Sequence, residues 1–147
     1  MGAYSGIRRS IAPSLTTDNW TLVTGAGESG KVYDIGFSGE MSVSTPMQTR
    51  VARSSGQAGA ETLGSVAKLH VNSVANLISF VTSFLTTQAA LDAGDLIPLG
   101  SWNANGGVIR WAALPGEELI ILSSANISCR NSVGTGTSSY GVVWSED

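Results

Sequence analysis

Residues 25–31 read GAGESGK, which matches the first seven positions of the phosphate-binding loop G-x-x-x-x-G-K. Such a loop cradles phosphates with backbone amides and a lysine, and its next residue must be Ser or Thr to hold Mg²⁺. Here that residue is Val32, and VYDIGF follows with the period of a strand where a helix should begin. Gly25 to Lys31 is therefore expected to be a glycine-rich hairpin loop that holds no nucleotide. A metal centre or a Cys/His nucleophile would need several converging ligands or a base, yet the chain has one histidine, His70, and one cysteine, Cys129. His70 alternates with Lys68 and reads as an exposed or edge-strand residue, and Cys129 as a small core hydrophobe. Asp92 and Asp95, like Glu117 and Glu118, sit in turn-like sequence and read as a solvated rim, not as a pair of catalytic carboxylates. Trp102 and Trp111 flank a polar Asn-Gly-Gly turn, an arrangement in which an aromatic ring can stack on a sugar. The competing and preferred expectation places these rings in the core or over its ends. The residues thus point to a protein that is not an enzyme and has no cofactor or metal.

What must position these residues is a single domain. A chain of 147 residues can bury about 68–70% of its unfolded surface, enough for a core without cross-links. Eight basic and eleven acidic side chains give a net charge of -3, the wrong sign for a phosphate-neutralising protein, so nucleic acid is not an expected partner. Charged residues make up 13% of the chain, about half the usual quarter, and uncharged Ser, Thr, Asn and Gly must cover much of the surface. The first residues, MGAYSGIRRSIAP, have two arginines but no apolar stretch long enough for a signal-peptide core. Gly6 stands where myristoylation requires Ser or Thr. Nine of the 21 residues from Val71 to Leu91 are Asn, Ser, Thr or Gln, which argues against a membrane span.

Residues 1–19 show neither strand nor helix period and read as an extended N-terminal arm, leaving 20–147 as the folded domain. From Trp20 the pattern is one of short β-type runs: 20–24, 31–37 (with Tyr33, Ile35 and Phe37 on one face), 41–43, 47–53, 66–71, 77–85, 108–113, 118–123, 126–130 and 140–144. Ser54 to Ser65 reads as a loop, and residues 88–92 as a possible short helical turn. Asn105-Gly106-Gly107, Pro115-Gly116 and Gly134-Thr135-Gly136 supply turn chemistry. Nine or ten short strands without βαβ alternation predict an all-β fold, an antiparallel β-sandwich or jelly roll.

Residues 102–118 (WNANGGVIRWAALPGEE) and 128–146 (SCRNSVGTGTSSYGVVWSE) resemble small virion proteins of tailed bacteriophages, of the head decoration or cement type. The shared features are a Gly-Gly hairpin into an Arg-Trp strand, a Pro-Gly-Glu turn and a last strand ending in acids. The resemblance implies a structural protein made in the host bacterial cytoplasm and carried on the capsid surface. There it would bind the major capsid protein from outside and stabilise the shell as a homo-oligomer, a trimer for preference, with no membrane or nucleic-acid partner. The expected anchor is the arm: Tyr4, Ile7 and Ile11 for apolar contact, Arg8 and Arg9 for charge. The alternative is a phage tail or fibre module that binds carbohydrate or a host receptor, with Trp102 or Trp111 as its platform. For the arm itself, the alternative is a first strand that completes its own chain's sandwich.

Overall fold

The computed structural model describes residues 2–69, 77–97 and 100–147. His70 lies outside the described residues. The fold is all-β, two antiparallel sheets packed face to face, with no helix among the described residues and none long and apolar enough to cross a membrane. The first sheet runs β10 (Val108–Ala112), β3 (Gly30–Gly39), β13 (Ser138–Glu146), β1 (Gly2–Ile11), β6 (Val66–Lys68), and β11 (Leu119–Ile121) also pairs with β3. The second runs β5 (Glu61–Leu63), β7 (Ser79–Phe84), β2 (Trp20–Val23), β12 (Asn126–Val133), β4 (Pro46–Ser55), β8 (Ala90–Asp95), with β9 (Ser101–Asn103) also on β4.

The stretch expected as an arm is in its first half a sheet strand. β1 pairs with β13 from Gly2↔Glu146 to Arg8↔Tyr140 on one side and with β6 on the other. Its inward positions are Gly2, Tyr4 and Gly6, so the strand shows almost no hydrophobic alternation. The glycines are there because aromatic rings occupy the space: a Cβ on Gly2 would lie 2.2 Å from the Tyr4 hydroxyl oxygen, and one on Gly6 would lie 2.6 Å from the Phe80 ring. Tyr4 is fully buried and stacks on Trp144 at 5.9 Å, and Trp144 stacks in turn on Phe80 at 6.1 Å. A second aromatic cluster joins Phe37, Tyr140 and Trp102, with centroids 5.5 to 6.3 Å apart. Rings therefore bridge the two sheets and supply much of the buried apolar area.

Irregularities in two strands set which residues face the core, and in β3 they break the expected shared face of Tyr33, Ile35 and Phe37. β3 skips a residue against β13 between Asp34 and Val32, so Val32, Ile35 and Phe37 point inward while Tyr33 is left at the surface. A shift in β7 opposite Thr62 and Leu63 places Phe84 with Val81 and Ala89 on the far side of the second sheet from Phe80. Residues 88–92 contain no helical turn, and Ala90 already belongs to β8. The run 41–43 is not a strand, and β5 lies within the stretch expected as loop.

Between the sheets sits a buried polar hub. Asn131 Oδ1 accepts from Asn19 Nδ2 (3.0 Å), Thr49 Oγ1 (2.9 Å) and the Tyr140 hydroxyl (3.2 Å), while Trp102 Nε1 donates to Thr49 Oγ1 (3.0 Å). Burial is the main cause that pushes the Tyr140 phenol up to about 12 from an ordinary 10.0, and Tyr4 is also raised, first by burial and then by Glu146. The sign follows from linkage. The unfolded tyrosine loses its proton first, so stability present below pH 10 is lost as pH rises through about 12. Urea midpoints should fall steeply over that window, and Tyr140→Phe should make the fall shallower; an unchanged alkaline limb would contradict this placement of the phenol.

Candidate interaction surface

The strand register builds a continuous field on the outer face of the first sheet. Reading across β1, β13, β3 and the β10/β11 edge, the outward residues fall into rows. One row is Ala3, Ser145, Lys31 and Ile120; the next is Ser5, Val143, Asp34 and Ala112. Below these come Ile7, Gly141, Gly36 and Arg110, and at the end Ser139, Ser38 and Val108. Gly36 and Gly141 face each other at the centre and form the shared floor of two adjoining hollows of about 260 and 340 Å³, which also share Ile7 and Asp34.

Neither central glycine is required by its own backbone or packing. Both have ordinary strand φ, and an added Cβ would meet nothing closer than Ile109 O at 3.7 Å at Gly36, or Gly6 O at 3.6 Å at Gly141. Glycine inside a strand forgoes side-chain packing and marks, among other things, a place where another molecule approaches closely. Charge on this field is locally balanced. Arg110 forms an ion pair with Asp34, which holds the guanidinium firmly protonated through their hydrogen bond and charge. At one margin the Glu40 carboxyl is held down by hydrogen bonds from the Ser139 and Ser10 hydroxyls and, more weakly, by Arg9. At the other, Glu118 is held down by backbone amides, Gly116 first, with Lys31 a lesser cause.

The outer face of the second sheet is different, because the chain covers part of it. Residues 85–89 join β7 to β8 across it, and Arg130 donates to Ala89 O beneath. Asp18 lies there too, its carboxylate taking bonds from Thr21 Oγ1 (2.6 Å), Ser128 Oγ (3.0 Å) and Arg130 Nε (2.8 Å).

Of the five residues expected to anchor an arm, only Ile7 and Arg9 reach this field. Tyr4 is in the core, Ile11 packs partly buried against it, and Arg8 donates to the carbonyls of Asp18, Asn19 and Thr82. Trp102 is 8% exposed and bonded through its ring nitrogen, so it offers no free ring face as a sugar platform, and Trp111 packs partly buried against the core from the inner face of β10. In the 25–31 loop, two backbone amides are already engaged: Gly25 N donates to Glu28 Oε2 (2.6 Å) and Gly27 N to Ser123 Oγ (2.8 Å), while Lys31 is already inside β3. Cys129 faces the core, where burial raises its thiol pKa far above the ordinary value. Asp95 pairs with Arg50 at 2.7 Å, and Glu118 accepts from Gly116 N. Among the described residues no three His, Cys, Asp or Glu side chains converge. The glycine floor escaped the sequence reading, although an isolated Gly inside a β run, as in Ile35-Gly36-Phe37 and Tyr140-Gly141-Val142, is a signal for it. No family model, curated protein or solved structure matches the chain.

Proposed function

We propose that this chain is a structural virion protein of a tailed bacteriophage, a decoration protein that assembles as an oligomer, trimeric for preference, on the outer surface of the capsid. The observation that carries this reading is the broad, nearly neutral, glycine-floored face of the first sheet, a surface built for contact with protein. In this reading the chain is not an enzyme and uses no cofactor, nucleic acid or membrane; it is made in the host cytoplasm and its partner is the major capsid protein. A protein that binds only the assembled shell stabilises that shell by its binding free energy, and multivalent attachment multiplies the effect. The jelly-roll topology belongs to the same proposal. Its support is the strand order β1-β13-β3-β10 facing β2-β12-β4-β8, in which β1 to β4 alternate between sheets and β12 and β13 return between them. Contact with the shell is assigned to the folded domain, since Tyr4, Arg8 and Ile11 are engaged within the chain.

Immunogold labelling of virions of the phage that encodes the chain tests the reading. Label over the head, together with earlier heat rupture of heads that lack the chain, is the expected result. Label confined to the tail, or a chain absent from the virion, overturns it.

A further inference from the structure

We infer that the outer face of the first sheet is where one copy of this chain packs against a second copy, with protruding aliphatics of one seated in the glycine-floored hollow of the other. The inference rests on the reading of the chain as an assembling structural protein and names the occupant of the face.

Relief, charge and area all favour a second copy. The face carries both knob and hollow: Ile7 on β1 is 44% exposed and Val108 on β10 is 73% exposed, and between them lie Gly141 and Gly36. A surface that carries both a knob and a hollow can meet a second copy of itself, either across a two-fold axis or head to tail around a ring. Its charges come as neighbours of opposite sign, Arg110 with Asp34, Arg9 with Glu40 and Lys31 with Glu118. A field of that kind gains little from a partner of one strong sign, whereas a second copy brings both signs to exchange. Four strands about 4.8 Å apart and four rows about 7 Å apart span roughly 500 Å² in projection. Side-chain relief raises the accessible area above this projection, toward the ~800 Å² per partner of a standard interface. On the opposite side of the sandwich, the chain's own 85–89 link and the Asp18 network occupy the corresponding face.

The test uses purified full-length protein. Sedimentation at up to about 100 µM should show an oligomer for the native chain, since even a Kd of about 10 µM leaves most chains associated there. Gly36→Glu and Gly141→Glu should each weaken association at least about 100-fold, because each would fill the hollow with a charged side chain where the partner's aliphatic group must seat. Their circular dichroism and urea midpoints should stay near native, since the new Cβ meets only atoms 3.6 Å away or more. A second measurement does not depend on those variants folding. Ile7→Cys and Val108→Cys should cross-link between chains with a short bis-maleimide, with native Cys129 silent in the core. Leu85→Cys on the other face, at a residue 80% exposed, should not cross-link. A native chain that is monomeric at that concentration, an oligomer that survives both glutamates, or cross-linking only through Leu85→Cys would each overturn the inference. Those results leave the virion labelling untouched, so failure of the face and failure of the functional reading are separable.

Discussion

Deletion of residues 2–11 is expected to abolish cooperative folding. These residues form β1, which fills the gap between β13 and β6 in the first sheet, and their loss would strip backbone partners from both neighbours. It would also remove Tyr4 from its stack on Trp144, leaving that ring and Phe80 beside a void. The loss far exceeds what a marginally stable domain can absorb. A urea titration followed by tryptophan fluorescence should show no sigmoidal transition for the truncated chain. A transition at the native midpoint would mean that β1 is dispensable, as a free arm would be. A point variant probes the same register: Gly6→Val should cost about 1–3 kcal/mol by overpacking, because its Cβ would sit 2.6 Å from the Phe80 ring. Ser5→Val, one residue away on the outer face, should be nearly neutral.

Asp18→Ala is expected to destabilise the protein by about 3–5 kcal/mol, the usual cost of leaving one partner of a buried ion pair uncompensated. The Asp18 side chain is 1% exposed and that of Arg130 is 17% exposed, with 2.7 Å between Arg130 Nη2 and Asp18 Oδ1. Removing the carboxylate also takes the acceptor from Thr21 and Ser128. For a domain of this size the loss corresponds to a fall in Tm of roughly 6–20 °C. Much of the cost is the stranded guanidinium, so adding Arg130→Met to Asp18→Ala should recover part of the stability. A double variant no better than the single one would show instead that the hydroxyl network carries the effect. The stakes reach beyond stability, because Arg130 also holds the 85–89 link against the second sheet and so helps keep that face closed.

Much of the architecture is legible in residue order. The strands at 20–23, 30–39, 46–55 and 108–112 announce themselves through β-branched and aromatic runs, and the turns at Gly106, Gly116 and Gly134 do so through residues that adopt φ of 69°, 88° and 82°. These are local properties, set by sterics within a few residues, and so they survive in the sequence. The bulges in β3 and β7 do not survive in that way, because the extra residue is chosen by pairing with a distant strand; Phe84 faces away from Phe80 only because β5 pairs as it does.

The sharpest contrast is at the two ends of the chain and at its centre. Composition alone determines that the chain is short of charge, and residue order alone that Val32 stands where a nucleotide loop needs a hydroxyl. Only tertiary structure decided that residues 2–11 are a sheet strand, because Gly6 makes room for the Phe80 ring and Tyr4 stacks on Trp144, both remote in sequence. Tertiary structure likewise decided that Gly36 and Gly141 form one floor. They are separated by most of the chain and meet only through the β3–β13 register, and register is a property of pairing energies between strands, which no single stretch of sequence contains.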